Sequence, residues 1–153
     1  MLGMFFDEGI MLGVNMEHNI IYELADRIYC ASSRSARERQ LLLELSSVKF
    51  ANVAQALELL CRKFEHVPQV ELLLAGEDQQ GLYLFAIKSY GTYSRVSYSA
   101  YGALATKHLQ QHWTPFLSNK QAEQLAHEAL NLSMGQQQCR HDLCFMFKLK
   151  PRL

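Results

Sequence analysis

The pattern of hydrophobic and polar positions predicts an alternation of strand groups and helix pairs. Residues 4–14 run from apolar to polar and back to apolar, with an acidic turn ending in glycine at 7–9. This pattern is typical of a β-hairpin. Two further short strands are predicted at 19–22 and 27–31, because both segments are β-branched or aromatic and a polar stretch separates them.

Helical spacing follows these strands. Ser32 and Ser33 are hydroxyl residues able to cap a helix, and they precede a run of leucines. Apolar residues then recur every three or four positions over 53–64, which predicts a second helix that faces the core. Pro68 ends this helical region.

A second strand group lies in the middle of the chain. The apolar segments 70–75 and 82–87 flank a loop of turn residues at 76–81, which predicts another hairpin. Alternation of apolar and polar positions predicts a further strand around 95–99. Gly102 then opens a third helix.

The fourth helix has the clearest start signal in the chain. Ser118 and Gln121 form a capping-box pattern, in which each side chain can accept a hydrogen bond from the other residue's backbone N–H. Apolar residues follow at helical spacing, and Gly135 is placed to end the last turn. A closing strand is predicted at 143–149.

The element order predicts an α+β fold. Strands separated by helix pairs favour a four-layer α/β/β/α sandwich of antiparallel sheets, because each sheet face must be covered. The chain has 153 residues, of which 49% are hydrophobic, so we expect one domain over residues 1–153. The sequence contains no internal repeat, linker or low-complexity tract.

Charge and hydropathy exclude several classes of partner. Fifteen basic residues balance fifteen acidic ones, so no strong field would recruit nucleic acid or an anionic membrane. The apolar runs are far shorter than the roughly 20 residues of a membrane span, and the start of the chain has no basic leader. We therefore expect an intracellular protein whose four cysteines are thiols.

Four segments of the chain carry the motifs of one known family. They are residues 3–15, GMFFDEGIMLGVN, residues 27–31, RIYCA, residues 73–102, and residues 141–144, HDLC. Together they resemble β-type subunits of the 20S proteasome, which are N-terminal nucleophile hydrolases. In chain order, the segments resemble the opening hairpin of that family, the strand before its first helix, its central block and its last strand region, and the last segment is most similar to the class with trypsin-like specificity. The resemblance implies the same layered fold.

The resemblance also implies a catalytic centre that this chain lacks. The family uses an N-terminal Thr as the nucleophile, assisted by its own amine and by a Lys. Aligning Gly3 with the first glycine of the family places Met1 after the nucleophile, and Asn19 or Ile20 stands where the Lys belongs. The other family positions are replaced by a neutral amide, a phenol and two uncharged side chains: Asn15, Tyr101, Met134 and Gln137.

Three functional hypotheses follow. The first is a non-catalytic ring member of the proteasome core that contributes to protein degradation through contacts with other α and β subunits, in the cytoplasm and nucleus. The second is an active threonine-type endopeptidase, if an upstream extension supplies the Thr. The third is a free-standing α/β binding protein outside the proteasome.

The metal-ligand patterns in the sequence are weak. His108 and His112 lie one helical turn apart, but no third ligand is near in sequence, so we interpret them as polar residues on the exposed side of a helix. Cys139, His141 and Cys144 lack the second half of a zinc-binding pattern. We therefore predict no metal and no cofactor.

Overall fold

A computed structural model describes residues 1–133 and 143–152. The described part begins with four strands: β1 (Leu2–Phe6), β2 (Gly9–Asn15), β3 (Asn19–Ala25) and β4 (Ile28–Ser33). Helices α1 (Ala36–Leu43) and α2 (Val53–Lys63) follow, and then strands β5 (Leu72–Asp78), β6 (Gly81–Lys88), β7 (Thr92–Arg95) and β8 (Tyr98–Ala100). Helices α3 (Ala103–His112) and α4 (Asn119–Ser133) precede the last strand, β9 (Cys144–Leu149).

The described strands form two antiparallel sheets. Sheet A has the order β8-β1-β2-β9, and sheet B has the order β3-β4-β5-β6-β7. In sheet A, Leu2 lies between Gly13 of β2 and Ala100 of β8. The predicted hairpins at 4–14 and 70–87 are therefore confirmed, with β1 paired to β2 and β5 paired to β6.

Alternation along the strands divides the interior into three apolar layers. In β2, Ile10, Leu12 and Val14 pack between the two sheets, whereas Met11 packs against the layer that contains α3 and α4. In the same way, the residues of β5 alternate between the space between the sheets and the layer that contains α1 and α2. Successive side chains of a strand point to opposite faces, so both sheets are covered on both sides.

The observed architecture is the predicted α+β sandwich with helix, sheet, sheet and helix layers. Helix α2 buries Val53, Ala56, Leu57 and Leu60 against sheet B, which is the stripe that its spacing predicted. Helices α3 and α4 pack on sheet A through small residues and leucines. The helices thus form the outer layers because each has one apolar face.

The predicted strand at 95–99 is wrong in its boundaries. The segment divides into β7, which pairs with β6 in sheet B, and β8, which pairs with β1 in sheet A. Between them, Val96 N–H donates to the carbonyl of Leu84 in sheet B, and the Ser97 carbonyl accepts from Phe5 N–H in sheet A. The chain therefore crosses from one sheet to the other where alternation alone predicted one continuous strand.

The capping prediction for α4 is confirmed. Ser118 N–H donates to Gln121 Oε1 at 2.9 Å, and Gln121 N–H donates to Ser118 Oγ at 3.2 Å. The first helix begins later than predicted, since Ser35 is its N-cap and its hydroxyl accepts from Glu38 N–H. The predicted helix end at Gly135 lies outside the described residues.

Two further expectations can be compared with the structure. Within residues 1–133 and 143–152, no helix is both long and apolar enough to cross a membrane. Cys30 and Cys61 are free thiols, as expected. Cys144 is disulfide-bonded, which corrects the expectation of a thiol at that position.

Candidate functional site

Asn15 closes the turn between β2 and β3. Its side chain is buried, with 3% of the residue exposed, and its Oδ1 accepts from Glu17 N–H at 3.0 Å. Its carbonyl accepts from His18 N–H, and its own N–H donates to Asn19 Oδ1 at 3.3 Å. The structure therefore brings together Asn15 and Asn19, two of the residues that the family resemblance singled out. The side-chain amide oxygen of each accepts a hydrogen bond that shapes the turn.

Tyr101 joins the two sheets at one end of the sandwich. It follows β8 of sheet A, and its N–H donates to the Met1 carbonyl at 3.1 Å. Its hydroxyl lies 3.0 Å from the Leu72 carbonyl oxygen and 2.9 Å from the Ile87 carbonyl oxygen, both in sheet B. A phenol has one hydrogen, so the two carbonyls share a single donor.

The environment of Tyr101 keeps its hydroxyl protonated. Burial raises the pKa of the phenol well above its usual range, and the carboxylate of Glu71 raises it further. A phenol in this state donates a hydrogen bond but does not act as a base at neutral pH. Tyr101, which the resemblance aligns with a serine of the family, is therefore a structural donor.

The register of sheet A places these residues at one end of the sandwich. Asn15 ends β2 opposite Cys144 of β9, while Tyr101 follows β8 and contacts Met1 before β1. Strand β1 runs between β8 and β2, so the backbones of Tyr101 and Asn15 are about 10 Å apart at two strand spacings. The Met1 side chain is buried in the apolar layer between the sheets.

Of the remaining predicted positions, the structure describes only Asn19 and Ile20. Met134 and Gln137 lie outside the described residues. Ile20, the alternative to Asn19 for the lysine position, is an apolar residue of β3.

Of the histidine pair on α3, His112 is exposed, as expected, whereas His108 lies against α4. The rings of His108 and His112 have centroids 4.5 Å apart, and His108 Nε2 lies 3.4 Å from Glu128 Oε1. The side chain of His108 is only 20% exposed, which corrects the expectation that it lies on the exposed side of the helix. Among residues 1–133 and 143–152, no group of three or more His, Cys, Asp or Glu residues could hold a metal ion, and Cys139 and His141 lie outside those ranges.

A comparison with protein families identifies the relationship. A family model described as "Proteasome subunit" matches residues 25–144, which cover the chain from the end of β3 to the start of β9. The chain belongs to the proteasome subunit family. A search of curated proteins finds no match.

The extent of the match bears on the candidate site of this proteasome subunit. Tyr101 lies inside the matched residues, whereas the β1–β2 hairpin with Asn15 lies before them. The resemblance at Asn15 therefore rests on the hairpin pattern of residues 3–15 alone. Membership of the family implies that the chain assembles with other proteasome subunits.

Sequence comparison located Tyr101 but missed its role. The residue stood out because the resemblance aligns it with a family serine, and this alignment carries no information on what the hydroxyl contacts. The two acceptors, Leu72 and Ile87, are 29 and 14 residues away in the chain. They become its partners only because β5 and β6 pair and the second sheet packs over them.

Proposed function

We propose that the chain is a β-type subunit of the 20S proteasome core that occupies a ring position and contributes contacts without cutting peptide bonds. The proposal includes a single domain over residues 1–153, expected from the length of the chain, and a location in the cytoplasm and nucleus, expected from the family resemblance. The similarity to the class with trypsin-like specificity stays a prediction. None of these statements depends on a bound cofactor.

The observation that carries the proposal is the bridge made by Tyr101. Its hydroxyl is committed to the Leu72 and Ile87 carbonyls at the end of the sandwich where the resemblance places the catalytic centre. Nucleophilic catalysis by a hydroxyl requires an adjacent base or a charge that assists proton removal. A side-chain hydroxyl that is shared by two main-chain acceptors and has a raised pKa supplies neither.

The amide of Asn15 supports the same proposal. A carboxylate at this position would carry a negative charge, while an amide is neutral and its Oδ1 already accepts from Glu17 N–H. Asn15 therefore cannot provide the charge that the family uses to organise its lysine and amine. Its contacts stabilise the β2–β3 turn, which suits a residue with a structural role.

The first experiment tests assembly and chemistry on the same particle. The tagged full-length natural chain is purified from its own cells, sized by gel filtration, and its partners are identified by cross-linking mass spectrometry. We expect α and β proteasome subunits in a particle of core size, with cross-links from this chain to subunits of both types. An untagged culture controls for carry-over of abundant proteasomes.

The chemical arm uses a peptide epoxyketone that reacts with N-terminal threonine. We expect labelling of the catalytic subunits in the particle, which serve as the internal control, and no labelled peptide from this chain. A labelled N-terminal Thr on this chain would contradict the non-catalytic assignment and support the active endopeptidase. Elution of the chain as a free protein would contradict ring membership and favour a separate binding function.

A further inference from the structure

Residues 150–152 leave sheet A after β9 and lie against the β3–β4 turn and the end of β5 in sheet B. The main-chain carbonyl of Lys150 accepts from Arg27 Nη2, and the main-chain N–H of Arg152 lies 3.1 Å from both carboxylate oxygens of Glu77. Arg27 lies in the turn between β3 and β4, and Glu77 lies near the end of β5. The segment thus contacts the opposite sheet through its backbone.

Glu77 is a buried carboxylate that accepts hydrogen bonds from Arg27 and Arg152. Its side chain is 4% exposed, and its Oε1 accepts from Arg27 Nε at 3.0 Å and from Arg27 Nη2 at 2.7 Å. A buried charge is stable only when a counter-charge and hydrogen bonds replace the lost water. The Arg152 N–H adds to the donors from Arg27, so residues 150–152 help to satisfy the carboxylate.

The turn that carries Arg27 has an unusual backbone. Arg27 has φ of 66°, a left-handed conformation that is uncommon outside glycine. Its carbonyl accepts from Glu77 N–H at 2.9 Å, so main-chain and side-chain contacts join the same two residues. Such an observed outlier is a reason to look for a function of the turn.

Two exposed carboxylates flank this buried pair. Arg152 Nη2 lies 2.9 Å from Asp26 Oδ2, and Lys150 Nζ lies 3.9 Å from Glu8 Oε2. Exposed pairs of this kind add little affinity, but they select the sign of the charge on a bound segment. Between the two basic residues, Pro151 has no N–H that would need a partner.

We propose that Glu77 and Arg27 form a receptor for an extended segment of the type Lys-x-Arg, and that the chain fills it with its own residues 150–152. The buried pair recognises one main-chain acceptor and one main-chain donor two residues apart. Asp26 and Glu8 recognise the two basic side chains. The occupied receptor joins sheet A to sheet B at the end opposite Tyr101, and it does not depend on the proposed catalytic state.

Amide hydrogen exchange of the full-length chain, followed by NMR, tests the receptor directly. We expect the Arg152 amide to exchange at least tenfold more slowly than the same sequence in an unstructured peptide. In Glu77→Gln the side chain loses its charge and one acceptor oxygen, so we expect most of this protection to disappear. Glu71→Gln, a change of an exposed carboxylate just before β5, is the matched control and should leave the Arg152 amide unchanged.

The amides of β5 between Leu73 and Ala75 report on the global fold in the same spectra. If they stay protected in Glu77→Gln and Arg152 also stays protected, the receptor assignment is wrong. If Glu77→Gln unfolds the chain, the double variant Asp26→Asn and Glu8→Gln tests the proposal instead. Both changes are at exposed side chains, so this variant is expected to fold. We expect about threefold faster exchange at Arg152 in that variant, and no change there would overturn the proposal.

Discussion

Replacing Tyr101 with Ala is expected to destabilise the chain by about 3 kcal/mol. The change removes a large aromatic ring that packs against the apolar layer between the sheets, and losses of this size are typical of aromatic truncation in a core. It also removes the donor shared by the Leu72 and Ile87 carbonyls. For a chain of this length, we expect the Tm in thermal unfolding to fall by about 10 °C.

Tyr101→Phe measures the contribution of the hydroxyl to stability separately from that of the ring. Phe keeps the ring and loses only the bridge between the sheets, so we expect a loss of about 1–2 kcal/mol. Tyr93→Phe removes a hydroxyl from an exposed tyrosine and should change stability by less than about 0.5 kcal/mol. Equal stabilities of Tyr101→Phe and Tyr93→Phe in denaturant titrations would show that the bridge contributes nothing.

Replacing Gly9 with Ala is expected to cost about 3 kcal/mol or more. Gly9 has φ of 146°, and a Cβ added there would lie 2.1 Å from the carbonyl oxygen of Leu149. That oxygen belongs to the backbone of β9, so the strand itself would have to move. Backbone strain and a main-chain clash each cost about 1–3 kcal/mol, and at Gly9 they add.

Gly81→Ala is the matched control for this prediction. Gly81 has a similar φ of 127°, but a Cβ added there would meet no atom within 4 Å. The variant therefore reports backbone strain without the clash, and we expect a loss of about 1 kcal/mol. Denaturant titrations of both variants give the difference in their free energies of unfolding. Similar losses would mean that β9 accommodates the added methyl group at no energetic cost.

The hydrophobic pattern was sufficient for most of the fold. The apolar segments at 4–14 and 70–87 predicted hairpins, and the stripe at 53–64 predicted a helix that faces the core. These elements could be predicted because a period of two or 3.6 residues is a property of the local sequence. The capping box at Ser118 was equally local, since its two hydrogen bonds join residues three apart.

The predictions that failed concern contacts across the molecule. The segment 95–99 was predicted as one strand, because alternation does not say which sheet a strand joins. His108 was expected on the exposed side of its helix, but it lies against Glu128 of α4. In both cases the decisive partner lies on another element that sequence periodicity does not reveal.

The family resemblance located the candidate site without its geometry. It singled out Asn15 and Tyr101 as replacements for charged or hydroxyl residues, and both lie at the same end of sheet A. It could not show that the Asn15 amide closes a turn or that the Tyr101 hydroxyl reaches the second sheet. Those roles depend on how the two sheets are stacked.

The sequence by itself determined the order of the elements and the layered class of the fold, and it predicted which residues stand at the family's catalytic positions. Only the tertiary structure decided what those residues do, and it added the contacts of residues 150–152 with Arg27 and Glu77. The physical reason is the range of the interactions. Periodicity and capping act over a few residues, whereas the bonds of Tyr101 and Glu77 join residues 14 to 75 positions apart.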